Sequence, residues 1–236
     1  MKEQLYTIPV NEAFDTDCEC PVCAMWNRLE KESLEYTLGP SYMEDDVRAV
    51  TDKCGFCGEH AGKLYKMQNS LGLALIMKTH MDEMIAEAEE LAGKTAIGGG
   101  LFKKGEAPVV SYLRKLEHDC FVCNRINGFF ERYIVTIFYL YEKEEEFREK
   151  FKNSKGFCNR HYAMLYEEGM KRLNGKNQKA FLEELSRIYI ENMKRVRDDL
   201  EWFTDKFDYR NADAPWKNSQ DALPRTLEKT NSVTVH

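Results

Sequence analysis

Cys20-Pro-Val-Cys23 followed by Gly55-Phe56-Cys57-Gly58-Glu59-His60, and again Cys120-Phe-Val-Cys123 followed by Gly156-Phe157-Cys158-Asn159-Arg160-His161, decide how this chain is read. Each copy is a C-x-x-C and then a G-F-C-x-x-H. From Cys23 to Cys57 the step is 34 positions, and from Cys123 to Cys158 it is 35. A thiolate is a soft anion suited to Zn(II) or iron–sulfur ligation. In C-x-x-C two sulfurs converge from one turn. In C-x-x-H the imidazole lies about one turn beyond the sulfur, on the same helical face. Each copy therefore reads as a Cys3His metal site, Cys20, Cys23, Cys57 and His60 in one and Cys120, Cys123, Cys158 and His161 in the other. The spacing leaves open a mixed pairing, in which the C-x-x-C of one copy meets the C-x-x-H of the other.

Working outward, the copies correspond beyond these residues. Leu64-Tyr65 follows His60, and Leu165-Tyr166 follows His161, at the same offsets. A duplicated helical hairpin explains both. The expected fold is all-α, a helical bundle of two pseudo-repeated hairpins, each with a metal clasp. The expected division is 1–92 for the first repeat, 93–108 for a linker marked by Gly98-Gly-Gly100, Gly105 and Pro108, 109–207 for the second repeat, and 208–236 for a loose polar tail.

Within that division, Ile8-Pro9-Val10 reads as extended, because the residue before proline avoids the α region. Pro21 suits a helix start, and a helix is expected over 22–37 until Gly39-Pro40 stops it. Residues 41–53 read as a short helix or loop. A long helix is expected from Cys57 to about Ala92, others over 109–119 and 123–151, one through His161, Leu165 and Met170, and a strongly amphipathic one over 178–207. Glu144-Glu-Glu146 reads as a solvated face.

The bulk properties exclude several classes. Of 236 residues, 43% are hydrophobic, enough for a core. The net charge of −6 argues against nucleic acid as a partner. No apolar leader is visible at the start and no run of 18 apolar residues occurs, so no membrane partner is expected and the setting reads as cytoplasmic. In a reducing compartment, eight cysteines in matched spacings favour metal sites over disulfides.

Other residues weigh less. Cys18 and His118 stand two positions before Cys20 and Cys120, as fifth ligands or, in the simpler reading, bystanders. Cys54 stands three before Cys57, where the second copy has Lys155, and reads as an alternate ligand paired with Cys57 or a bystander. His80 reads as a satisfied structural residue. Gly93-Lys94-Thr95 lacks the earlier glycine and the strand of a phosphate-binding loop. A thioredoxin-type redox pair needs a βαβ setting that the helical pattern lacks.

At these motifs, together with Tyr6-Thr-Ile-Pro-Val10, Leu38-Gly-Pro-Ser-Tyr-Met-Glu-Asp-Asp-Val-Arg48, Leu71-Gly-Leu-Ala-Leu75 and Thr79-His80, the sequence resembles an uncharacterised bacterial family, the domain of unknown function numbered 6062, seen mainly in anaerobes. The resemblance covers about residues 1–205. It implies a cytoplasmic helical protein with Cys/His motifs, counts Cys18 and His80 among motif positions, and brings no activity. The functional expectation is a non-enzymatic protein with two structural zinc ions, meeting a protein or small-molecule partner. The alternative is an iron–sulfur protein with Cys3His-ligated [4Fe–4S] clusters in electron transfer or redox sensing.

Overall fold

The computed structural model describes residues 4–97 and 106–233. Among them the secondary structure is helical throughout, and no strand occurs. In chain order the helices are α1 (Gln4–Asp15), α2 (Pro21–Leu38), α3 (Asp45–Cys54), α4 (Gly58–Lys66), α5 (Ser70–Ile97), α6 (Pro108–His118), α7 (Phe121–Lys143), α8 (Glu145–Asn153), α9 (Asn159–Arg172), α10 (Gly175–Asp205) and α11 (Ala222–Asn231). Short 3-10 turns stand at Pro40–Met43 and Tyr209–Asn211.

Compactness divides the chain otherwise than by copy. One unit is Met1–Asn27 with Phe130–His236; the other is Arg28–Phe129. The boundaries thus fall inside α2 and α7, not at residues 93–108. Of that expected linker, residues 93–97 complete α5 and Pro108 opens α6. Residues 98–105, with the triple glycine, lie outside the described residues.

The first unit is built on aromatic packing. Phe147, Phe151, Phe157 and Phe181 are fully buried. Phe14 meets Phe147 edge-on at 4.9 Å, Tyr141 meets Phe181 edge-on at 4.9 Å, and Phe151 lies 5.3 Å from Phe181. Offset and edge-on pairs of this kind contribute about 0.5–1.5 kcal/mol each beyond the area they bury. On α10 the buried stripe is Phe181, Leu185, Ile188 and Val196, at helical spacing. In the second unit α3 packs on α5, with Val47, Thr51 and Ile76 buried. Arg48 donates to the Leu75 carbonyl at 2.8 Å and to the Thr79 hydroxyl, which in turn donates to Asp52.

Four local expectations are corrected. Residues 8–10 are helical, with Pro9 inside α1. The proline forfeits one backbone bond, but Val10, Ala13 and Phe14 are buried from this helix, and that burial outweighs the loss. The long helix from Cys57 is two, α4 and α5. Gln68 takes the left-handed conformation, and Asn69 opens α5 by accepting from the Gly72 N–H at 3.0 Å. The helix over 123–151 is also two. The chain turns at Glu144, so the three glutamates are exposed at a break and at the start of α8. Last, residues 208–231 are not loose. The stripe of α10 ends on buried Lys206 with Phe207 exposed, and the Lys206 ammonium donates to the carbonyls of Asn211, Ala212 and Ala214. That turn brings α11 back onto α10, burying Ser219, Ala222 and Lys229.

Candidate metal centres

The four ligand-bearing helices start alike. Cys57 and Cys158 are the N-caps of α4 and α9, in extended conformation. Cys20 and Cys120 stand just before α2 and α7, and their carbonyls accept from Ala24 and Asn124 as the first helical bonds. The second residue of each pair, Cys23, His60, Cys123 or His161, is then the third helical residue. The motif spacing is therefore cap-to-third-position spacing, and both side chains lie at the positive end of a helix, where N–H groups and the macrodipole favour thiolate. Ahead of each C-x-x-H a glycine turns the chain with positive φ, +57° at Gly55 and +82° at Gly156.

All eight predicted ligand residues fall into two tight groups, and the groups are crossed. Cys20 and Cys23 meet Cys158 and His161; Cys57 and His60 meet Cys120 and Cys123. Within each group the four ligand atoms lie within 4.8 Å of one another. The within-copy sites of the sequence reading are thus replaced by the mixed pairing it left open. Between the two motifs of each copy, α2 and α7 carry the chain from one compact unit into the other, so each C-x-x-C shares a unit with the C-x-x-H of the other copy.

In the first centre, the His161 Nδ1 stands 3.4 Å from the Cys20 sulfur and 3.3 Å from those of Cys23 and Cys158, and the Cys23 and Cys158 sulfurs are 3.6 Å apart. All four residues are buried. Phe157, in the turn before Cys158, is fully buried, and the His161 ring packs against Phe130. Helix α11 closes over this centre. The Ser232 hydroxyl donates to the Cys158 sulfur at 3.1 Å. The Lys229 ammonium donates to the carbonyls of Glu19 and Lys155 at 2.6 and 2.5 Å, and lies 3.2 Å from the Glu19 carboxylate. It thereby ties together the residues that precede Cys20 and Gly156.

In the second centre, the His60 Nδ1 stands 3.2 Å from the Cys57 and Cys123 sulfurs and 3.4 Å from that of Cys120; the Cys57 and Cys123 sulfurs are 3.9 Å apart. His60 and Cys120 are buried, whereas Cys57 and Cys123 are partly exposed. With Nδ1 turned to the sulfurs, the His60 Nε2–H donates to Glu30 at 3.1 Å. Lys63 holds that carboxylate at 2.7 and 2.8 Å. A carboxylate behind a ligand imidazole fixes its tautomer and raises its basicity.

The ionisation of both groups is uneven. Hydrogen bonds from the Cys20 and Cys23 thiols hold Cys158 far below the usual thiol range. Burial pushes Cys20 up to about 12, and the bond to Cys158 pushes Cys23 up. Burial raises Cys120, but bonds from His60 and from backbone N–H groups outweigh it, leaving about 6. Burial and the neighbouring Cys120 charge push Cys123 up to about 12, and the bond to the Cys120 sulfur raises His60 to about 9. One sulfur in each group gathers the negative charge.

The remaining candidates belong to neither group. Cys18 is half-buried and lines a polar cavity of about 340 Å³ with Asp17, Glu19, Lys155, Arg225 and Glu228. Cys54 is a buried thiol directed at the Gly55 carbonyl, raised to about 12 by burial. His118 is exposed at the end of α6. His80 has a bonded and packed setting: its Nδ1 bonds the Asp52 carbonyl at 2.8 Å, and its ring lies over Gly55, where a Cβ would stand 2.4 Å from Nε2. Glu30, Lys229 and Ser232 were not singled out by the sequence. They lie outside the motifs, and two of them are in the supposed tail.

A family model described as a family of unknown function, DUF6062, matches residues 1–236. The chain belongs to that family. The match extends past the residues 1–205 of the sequence resemblance and takes in α11, the helix that closes the first centre. No curated protein and no solved structure matches the chain.

Proposed function

We propose that this DUF6062 chain is a non-enzymatic protein holding two structural zinc ions, one in each crossed Cys3His group. The observation that carries the reading is ligand spacing. Four ligands around one zinc, at about 2.3 Å for sulfur and about 2.0–2.1 Å for nitrogen, form a tetrahedron with S···S edges of about 3.8 Å and S···N edges of about 3.6 Å. In the structure the Cys23–Cys158 and Cys57–Cys123 sulfur edges are 3.6 and 3.9 Å, and the sulfur-to-nitrogen edges are 3.2–3.4 Å. A [4Fe–4S] cluster offers each ligand a different iron, which requires the four atoms to stand well apart around a bulky core. Crowding within 4.8 Å supports a single ion instead.

Four protein donors fill a tetrahedron and leave no position for substrate, which supports a structural over a catalytic role. The helical body is then what meets a protein or small-molecule partner. None of the eight cysteines is in a disulfide, which fits a reducing cytoplasm. No described helix is long and apolar enough to cross a membrane.

Metal analysis and a visible spectrum of anaerobically purified protein test this reading. The expected result is about two zinc ions per chain and no colour. Iron with a brown chromophore would replace it with the iron–sulfur reading, and metal-free native protein would end both.

A further inference from the structure

We propose that Cys57 and Cys123 form an oxidation-sensitive pair, and that a peroxide-class oxidant joining them expels the ion from their centre while the other centre keeps its own. The ion release rests on the two-zinc reading above; the oxidation site rests on geometry alone.

Access separates the two centres. The donor sets are identical, yet every ligand of the first centre is buried, while Cys57 and Cys123 of the second are partly exposed. The turns before the knuckle cysteines differ in the same sense, with Phe157 fully buried and Phe56 only half-buried. After Cys57 the chain is open, with Gly58 and Glu59 both exposed. Over Cys158 stand the Ser232 hydroxyl and α11. Distance alone does not discriminate, since the Cys23 and Cys158 sulfurs at 3.6 Å are closer than those of Cys57 and Cys123 at 3.9 Å. With an ion bound the cysteines of both centres are thiolates, so exposure decides which is oxidised, and only the second centre offers it.

The chemistry balances with hydrogen peroxide as the oxidant. The Cys57 thiolate attacks one peroxide oxygen; an S–O bond forms, the O–O bond breaks and hydroxide leaves. The Cys123 thiolate then attacks the sulfenic sulfur; an S–S bond forms, the S–O bond breaks and a second hydroxide leaves. The two thiolates lose two electrons and the peroxide gains them. The sulfurs close from 3.9 Å to about 2.05 Å. Cys57 caps α4 and Cys123 lies in the first turn of α7, so the bond joins two helix ends without breaking either helix. Cys120 and His60 remain, and two donors do not retain zinc.

The test uses the full chain after its metal content has been measured, so that a failure of the zinc reading shows first and separately. Stoichiometric hydrogen peroxide is added, released zinc is followed with a chromophoric chelator, and disulfides are mapped by mass spectrometry of unreduced peptides. The expected result is one ion per chain released at least tenfold faster than the other, a Cys57–Cys123 linkage as the first disulfide, and rebinding after reduction. Equal release of both ions, no release, or a first disulfide involving Cys20, Cys23 or Cys158 overturns the proposal. If the protein carries no zinc, the disulfide map alone decides: Cys57–Cys123 first sustains the oxidation site, and any other pair removes it.

Discussion

Replacing Lys229 by methionine isolates what α11 contributes to the first centre. The aliphatic stem remains, so packing changes little. The lost ammonium leaves the Glu19 and Lys155 carbonyls without their donor and the Glu19 carboxylate with one partner fewer; Arg195 still pairs with it at 2.5 Å. Removing one member of a buried ion pair costs about 3–5 kcal/mol, and each orphaned buried carbonyl about 1–3 kcal/mol. Relief from burying the ammonium offsets part of this, so the expected loss is about 4 kcal/mol. That is a large share of the 5–15 kcal/mol typical of a domain. Urea unfolding at saturating zinc measures the loss, and amide hydrogen exchange reports whether α11 has come free. Lys171→Met is the control: its pair with Glu168 is exposed and worth well under 1 kcal/mol. A Lys229→Met loss no larger than the control's, with α11 amides still protected, would refute the claim that this side chain holds the helix over the centre.

Three further outcomes are expected. Glu30→Gln weakens the carboxylate behind His60, so zinc affinity of the second centre falls about 10–100-fold while the first is unchanged, as competition with a chromophoric chelator will show. Gly55→Ala forces a Cβ into left-handed backbone and into the His80 ring; the cost is about 2–3 kcal/mol, read as a lowered melting temperature. At pH 7.5, Cys123 at about 12 and His60 at about 9 both hold protons that an ion must displace. Apparent zinc affinity of the second centre therefore rises about 100-fold per pH unit as pH increases toward 9, and calorimetry in buffers of different ionisation enthalpy counts two or more released protons.

Much of the molecule was legible in the residues. The C-x-x-C and C-x-x-H pairs carry their own geometry, because a cap and the third helical residue converge whatever lies around them. Helix α2 announced itself through Pro21 and Gly39-Pro40. The pairing of the motifs was harder, since it is decided by where helices end in space, not by local pattern. Yet the information was partly there. A single helix over 123–151 would carry the chain about 43 Å from Cys123, which already excludes an easy return to Cys158. The breaks at Gln68 and Glu144 carry no glycine or proline to mark them. The tail misled because α11 is held by charge: Lys229 and Arg225 are signals of exposure in a sequence, and only their partners Glu19, Asp199 and Asp221 make them interior.

The crossed pairing also favours one order of assembly. Within-copy sites would lie one after the other along the chain; these lie one inside the other, like brackets. Everything the inner centre needs has been synthesised once Cys123 emerges, and its ends are 66 positions apart. The outer centre waits for His161, 141 positions from Cys20. Closing a loop costs more as it lengthens, so an inner ion already in place shortens the path that the outer one must close. A ribosome releasing about 5–20 residues per second gives the inner site seconds of lead. A chain stripped of both ions should recover them in that sequence, inner before outer.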